Sequence, residues 1–216
     1  MRIDEDYFKV DNPMNKNSVD DVLMPDEMVL QRLKPNRKVL LLESIFKGLP
    51  FVLIWVIFDS VFIIMMMSSG AFGHTPWLLA IIVPFFALHL MPLWIYIAGI
   101  VRAFAGYKNI EYAFTDRRII IRSGLIGIDF KTIFYSDVEG INVKVGIFDK
   151  AFKVGDIYIK AHDQSAVLDN IERPYFFLSK LQQITLDIKT DIQYPNGLRP
   201  GDNPGYKVKY KGDDRN

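Results

Sequence analysis

The sequence of 216 residues contains no cysteine and only three histidines. Without cysteine the chain forms no disulfide bond, performs no thiolate catalysis and builds no cysteine-ligated zinc site. The histidines, His74, His89 and His162, lie in separate segments, so we do not expect them to converge on one metal ion. The formal net charge is only +1, which gives no overall field that would favour nucleic acid as a partner.

Sequence motifs of common enzymes are also missing. The chain has no glycine-rich phosphate loop, no H-E-x-x-H and no G-x-S-x-G. Carboxylate pairs do occur, as in Asp116/Asp129 and Asp137/Glu139, but they fall in turns or on exposed strand faces, where we expect them to be solvated. We therefore predict a protein that is not an enzyme, with no catalytic residue, no cofactor and no metal.

Two long apolar stretches dominate the middle of the chain. Residues 49–67 carry one charge, and residues 77–101 contain no Asp, Glu, Lys or Arg. A helix of roughly 20 apolar residues crosses a bilayer core of about 30 Å, and both stretches reach that length. The link 68–76 is rich in small and turn-forming residues. Residues 48–102 therefore predict an antiparallel hairpin of two transmembrane helices.

The distribution of charge predicts how this hairpin is oriented. The link between the two stretches has no Lys or Arg, whereas basic residues crowd its outer flanks: Arg32, Lys34, Arg37, Lys38 and Lys47 before the first stretch, and Arg102, Lys108, Arg117 and Arg118 after the second. Positively charged flanks stay in the cytoplasm. We therefore predict a multi-pass protein of the cell membrane with both termini cytoplasmic. A cleaved signal peptide is excluded, since the first apolar run begins too far from the N-terminus and is too long.

Two polar residues within the apolar stretches require an explanation. Asp59 lies near the centre of the first stretch, where a charged carboxylate costs about 3 kcal/mol unless it is protonated or paired. His89 lies in the second, offset from Asp59 by about four residues, or about 6 Å of helix rise. A hydrogen bond between the two is geometrically possible. The pair is either a proton or ion site or a polar contact between helices or between copies, and the second interpretation is favoured because no polar pathway accompanies the pair.

The N-terminal and C-terminal ends are expected to differ from the rest of the chain. Residues 1–47 predict an acidic arm, mobile over the first twenty-odd residues, and then a basic segment that leads into the membrane through an interfacial helix at 39–46. Residues from 193 to 216 contain Pro, Gly, Asp and Lys with little periodicity. They predict a flexible tail.

After Gly106 the apolar residues begin to alternate, which indicates strands. We predict six antiparallel strands, separated by turns, at 107–114, 117–122, 128–135, 140–145, 157–161 and 166–171. The segment 148–152 is expected to be a connection and 154–156 a turn. Pro174 then opens an amphipathic helix that runs to about Lys189, since proline is tolerated in the first turn. Residues 106–192 therefore predict one small soluble domain.

Several segments, in this order, resemble one protein family. They are L-M-P-D-E-M-V-L (23–30), Y-A-F-T-D-R-R-I-I-I-R-S-G-L (112–125), D-V-E-G-I-N-V (137–143), F-K-V-G-D-I-Y-I (152–159) and L-D-N-I-E-R-P-Y (168–175). Together with the membrane hairpin, they resemble the bacterial pleckstrin-homology (PH)-like membrane proteins. The resemblance implies a bent, seven-stranded antiparallel barrel capped by the C-terminal helix, with the seventh strand within 126–135 or around 146–152. It implies no catalytic residues.

Six basic residues are candidates for facing lipid or a partner: Arg117, Arg118, Lys144, Lys150, Lys153 and Lys160. Eukaryotic PH domains hold inositol phosphates with basic residues between their first two strands. Here the corresponding turn is assigned to residues 115–118, which contain no long basic loop, so phosphoinositide binding is not expected. A solvated basic face near anionic lipid is the simpler interpretation.

The sequence thus predicts a non-catalytic, membrane-anchored interaction or scaffolding protein. Its fold class is a membrane α-helical hairpin of two spans plus an all-β PH-like antiparallel barrel capped by a C-terminal α-helix. The barrel would be presented to a protein partner or to a second copy, at a sheet edge or groove. The alternatives are a small transport or stress-response component that uses Asp59 and His89, and a PH-like domain that binds anionic lipid.

Overall fold

The computed structural model describes residues 17–70 and 76–194. Most of the predicted acidic arm, the centre of the link with His74, and the predicted C-terminal tail after Tyr194 lie outside the described residues.

The described residues form seven strands and six α-helices. Short 3₁₀ turns lie at Val19–Val22, Pro76–Leu78, Tyr107–Asn109 and Tyr135–Asp137. In chain order the regular elements are β1 (Val29–Leu33), α1 (Arg37–Phe46), α2 (Leu49–Ser68), α3 (Leu79–His89), α4 (Met91–Gly106), β2 (Glu111–Thr115), β3 (Arg118–Ser123), β4 (Asp129–Phe134), β5 (Val138–Lys144), α5 (Ile147–Phe152), β6 (Val154–Ala161), β7 (Ser165–Glu172) and α6 (Pro174–Gln193).

The strands form two antiparallel sheets, ordered β1-β2-β3-β4 and β5-β6-β7. The main apolar core combines inward-facing residues of both sheets with one face of α6, and fully buried members include Ile119, Ile133, Ile157 and Leu168. Leu181 and Ile184 of α6 are buried against this core. The two antiparallel sheets and the C-terminal helix agree with a PH-like fold.

The seventh strand lies before the long apolar helices. β1 pairs with β2, so that Leu33 lies opposite Tyr112. The prediction of a seventh strand within 126–135 or around 146–152 is wrong, because those segments are β4 and α5. β1 gives no alternating signal because its three central residues are all exposed. The sheet therefore extends beyond the range 106–192, and the turn at 115–118 joins the second and third strands rather than the first two.

The segment before β1 covers the outer face of the first sheet. Val19 is fully buried and packs with Ala113 and Ile120, while Val22 and Leu23 are partly buried beside them. The prediction of a mobile arm is therefore wrong for this segment. Because both faces of the sheet are covered, the run Ile119 to Ile121 is buried without alternation.

A buried ion pair fixes this segment to the sheet. The Arg118 guanidinium donates to Glu27 from Nε at 2.8 Å and from Nη2 at 2.7 Å, and Thr115 Oγ1 donates to Glu27 Oε1 at 2.7 Å. Burial alone would raise the pKa of Glu27, but the hydrogen bonds from Arg118, from Met24 N and from Thr115 together outweigh it and hold that pKa below its usual value. Two parallel charge-assisted bonds make this a strong and directional contact.

Two predicted connections are regular structure. Residues 154–156 begin β6, where a bulge between Gly155 and Ile157 interrupts the register with β7. A Cβ on Gly155 would lie 3.0 Å from side-chain atoms of Val145 and Pro174, so the glycine allows a close approach rather than a turn. Residues 147–152 form α5, capped by the Asp149 carboxylate, which accepts from Gly146 N at 2.7 Å.

The helical part contains one helix that is long and apolar enough to cross a membrane. It runs from Arg37 to Ser68, comprising α1 and α2, and a stretch of 18 residues within it has a mean hydropathy of 2.4. Leu79–His89 and Met91–Asn109 meet the same criterion only together, with a bend of 47° between them. Pro92 follows this bend, and it lacks the N–H that would continue the helical ladder. The described residues thus contain one candidate membrane span, or two if the bent pair of helices forms a single span.

We expect Glu27→Ala to lower the stability of the barrel by about 3–5 kcal/mol, because it leaves the Arg118 charge buried without its partner. The measurement is thermal unfolding of the full-length protein in mild detergent, followed by β-sheet circular dichroism. Glu139→Gln is the control, since it removes a carboxylate from an exposed ion pair with Lys160. Equal unfolding midpoints for the two variants would contradict the structural role of Glu27.

Candidate functional site

An apolar groove runs between the edge strand β1 and helix α6. It has a volume of about 230 Å³. Pockets for small-molecule ligands are usually about 300–1,000 Å³, so the groove suits one or two apolar side chains of a larger partner better than a whole small molecule. Its lining residues are Leu30, Gln31, Phe114, Tyr135, Phe176, Phe177, Lys180, Leu181 and Ile184.

Strand β1 brings an open sheet edge to this groove. It is the first strand of its sheet and pairs with β2 alone among the described strands. Met28 and Leu30 are exposed, as is Phe176 on the opposite wall, where Lys180 Nζ lies 5.8 Å from the centre of its ring. An edge strand offers unpaired backbone groups to another chain. The arrangement is therefore able to receive an extended apolar segment, with one cation at its rim.

The six predicted basic residues do not form one surface. Arg118 is buried against Glu27 and does not face lipid or a partner. Arg117 lies in the turn beside Asp116, with Nε 4.0 Å from the carboxylate. Lys160 is exposed near the other end of β6, where it binds Glu139 at 2.7 Å. Lys144 is exposed at the end of β5, where it is paired in register with Asp156.

Two of the six, Lys150 and Lys153, lie beside the same hollow in the surface, and Arg173 lies there with them. The three cations line a hollow of about 560 Å³ beside Tyr175 and Pro174. Lys153 and Arg173 both adopt left-handed backbone conformations, with φ of 57° and 53°, and Arg173 N donates to Lys153 O at 3.4 Å. Such conformations are strained for residues other than glycine and cluster at functional sites. Sequence reasoning missed Arg173, whose only signal is its position before the helix-opening proline.

The structure brings Asp59 and His89 together. His89 Nε2 lies 3.2 Å from Asp59 Oδ1, and Asp59 is buried between the helices. The His89 ring lies between the rings of Trp55 and Phe85, at 5.0 and 5.2 Å, and Trp55 Nε1 donates to the His89 carbonyl at 2.9 Å, next to the helix bend. A carboxyl group that is paired with an imidazole costs less to bury than one without a partner.

A polar junction connects α1 to the barrel. Asn36 N donates to Asn170 O at 2.8 Å, and Asn170 Nδ2 donates to Glu43 Oε2 at 3.1 Å. Loss of solvent around the carboxyl group, and then the nearby charges of Asp156 and Glu43, raise the pKa of Asp169 to about 6. Carboxylates are thus concentrated where the helical part meets the second sheet.

Comparison with protein-family models agrees with this architecture. A family model described as the bacterial PH domain matches residues 48–189. One solved structure is similar, that of a protein with a pleckstrin-homology domain from Shewanella loihica, with 15% identity, a TM-score of 0.29, and coverage of 35% of this chain and 70% of that chain. No curated protein matches the sequence significantly.

Two sheets closed by a C-terminal helix define this as a PH-like domain protein. Since the family model spans most of its length, the chain belongs to the bacterial PH domain family. Families with PH-like domains are generally non-catalytic, and such a domain is consistent with an interaction or lipid-binding role.

We expect Asp59→Ala to weaken the packing of α2 against the bent pair by about 1 kcal/mol, the usual size of a polar contact between membrane helices. Asp59→Asn should retain most of this stability, because an amide still bonds the imidazole. The measurement is resistance to unfolding by a denaturing detergent, followed by tryptophan fluorescence, to which Trp55 beside His89 contributes. Asn and Ala variants of equal stability would contradict a hydrogen-bonding role.

Proposed function

We propose that this protein is a non-catalytic interaction module, anchored in the cell membrane by two spans, which receives an apolar segment of a protein partner in the groove between β1 and α6. Both termini are cytoplasmic in this proposal, and so is the barrel. The observation that carries it is the position of the groove beside the unpaired edge of β1.

The proposed membrane anchoring would hold the barrel in one position, because of where the helices are inserted in the chain. They lie between β1 and β2, two strands that pair directly, so the chain leaves the barrel after Leu33 and returns to it at Glu111. A domain held by two connections keeps a fixed height and orientation. The partner therefore meets the groove in a defined geometry at the membrane surface.

The chemistry of the groove supports a protein segment as its occupant. Its walls carry leucine, isoleucine and phenylalanine side chains, and its rim carries Lys180. A segment that pairs with β1 would obtain affinity from main-chain hydrogen bonds and specificity from one or two apolar side chains. An acidic residue beside those side chains would complement Lys180. A second copy of this chain is an alternative source of such a segment.

We expect Phe176→Glu to reduce retention of the partner at least tenfold when the tagged full-length protein is purified from its native membrane in mild detergent. The reason is that the substitution puts a charge on an apolar wall of the groove. Leu186→Glu is the matched control, since Leu186 is an equally exposed residue of the same helix and does not line the groove. The retained species and its mass distinguish a different protein from a second copy.

A photoreactive residue at Leu30 should cross-link to the same species in intact membranes. Equal retention by the Phe176 and Leu186 variants, or cross-links from position 30 to lipid alone, would contradict the proposal.

Anionic lipid is a second candidate, favoured by the hollow lined by Lys150, Lys153 and Arg173. A charged headgroup attracts such cations by about 1 kcal/mol for each residue near the surface. The fragment 106–192 is unsuitable for a test because it lacks β1 and the segment that covers the sheet. The full-length protein in detergent is suitable, with short-chain phosphatidylglycerol and phosphatidylcholine as the probes.

If the hollow binds a headgroup, phosphatidylglycerol should raise the unfolding midpoint more than phosphatidylcholine does, and the double variant Lys153→Gln/Arg173→Gln should lose this difference. Lys160→Gln is the control, since Lys160 lies near the other end of β6. The same midpoint with both lipids would exclude the hollow as a lipid site.

The alternative of proton transport through Asp59 and His89 is less well supported. Among the described residues, the rings around His89 belong to Trp55, Phe85 and Phe86. They offer no chain of polar groups that would lead a proton to either side.

A further inference from the structure

The first turn of α5 exposes apolar side chains at the end of the barrel where the helices attach. Ile147 is 90% exposed and Phe148 is 43% exposed. The Asp149 carboxylate fixes this turn by accepting a hydrogen bond from Gly146 N. The capped start of α5 therefore holds both side chains outside the barrel core.

The contact of the Phe148 ring shows which part of the long apolar helices lies beside this turn. It stacks on the ring of Phe46 with centroids 5.4 Å apart, and Phe46 lies three residues before the start of α2 at Leu49. On the neighbouring helix, Tyr96 OH donates to Ile45 O at 2.6 Å. Phe46, Phe148 and Tyr96 therefore lie at about one level, next to the point where α2 begins.

If the helices cross a bilayer as proposed, that level corresponds to its interfacial layer. Lys47 borders the apolar stretch of α2, and tyrosine and tryptophan are the residues that favour the headgroup region. Lys150 follows Ile147 by three residues and so lies on the same side of the short helix. An apolar tip flanked by lysine is the pattern of segments that lie in the interface of anionic membranes.

We propose that Ile147 and Phe148 insert into the interfacial layer of the bilayer beside the start of α2, so that α5 is a third contact between barrel and membrane. This inference rests on the proposed membrane anchoring, and it assigns to α5 a lipid surface as its partner. The other highly exposed isoleucine at this end, Ile126, is not included, because its turn packs beside Gly106, farther along α4 from Tyr96.

The absence of cysteine from the sequence makes single-site labelling straightforward. The full-length protein is reconstituted in vesicles of phosphatidylethanolamine and phosphatidylglycerol, with an environment-sensitive fluorophore at Ile147→Cys. The water control is Asp163→Cys in the turn between β6 and β7, and the lipid control is Ile54→Cys within α2. Quenching is measured with lipids that carry a nitroxide near the headgroup or deep in the acyl chain, and with aqueous iodide.

We expect shallow nitroxide lipids to quench the label at Ile147 at least twofold more than the label at Asp163. Iodide should quench the label at Asp163 more than the label at Ile147. Adding Phe148→Ser to the labelled variant should reduce the lipid quenching at least twofold. A label at Ile147 that behaves like the one at Asp163, while the label at Ile54 is quenched by deep nitroxides, would overturn the insertion of α5 and leave the anchoring intact. A label at Ile54 that is accessible to iodide would overturn the anchoring itself.

Discussion

The pairing of β1 with β2 is the constraint on which the rest of the structure depends. The two strands are neighbours in the sheet, yet all the long apolar helices lie between them in the chain. Because the sheet holds both ends of the helical insertion, the helices must start and finish at the same end of the barrel. The groove, the polar junction around Asn170 and the exposed turn of α5 all take their positions from this arrangement.

The polar contacts reinforce that constraint at both ends of β1. Before the strand, the carboxylate of Glu27 is held by Arg118 and Thr115 within the turn between β2 and β3. After it, Asn36 bonds the backbone of Asn170 in the second sheet and caps α1 through its side chain. The apolar core alone would tolerate a slip of so short a strand, whereas these directional bonds favour one register.

Much of this fold was predictable from the sequence, and the exceptions have physical reasons. Strands β6 and β7 and helix α6 follow from periodicity because each buries one regular face. Strands β2 and β3 are buried on both faces and are recognised instead by the turn between them. The proximity of Asp59 to His89 follows from counting helix rise. β1 was not identified as a strand of the barrel because its centre is exposed. α5 was not identified as a helix because six residues are too few to show a helical period. Arg118 looked like a surface cation since its partner, Glu27, lies 91 residues earlier in the chain, a distance at which local patterns carry no information.

The order of the elements also bears on how the protein is made. β1 leaves the ribosome first, and both apolar stretches are synthesised before its partner strand. The sheet therefore closes through contacts of high sequence separation, which form slowly. If only one stretch were inserted across the membrane, β1 and β2 would emerge on opposite sides and the sheet would never close. In the proposed topology, the barrel can therefore fold only if both helices were inserted correctly. A failed insertion leaves an open, apolar sheet that quality-control proteases would recognise.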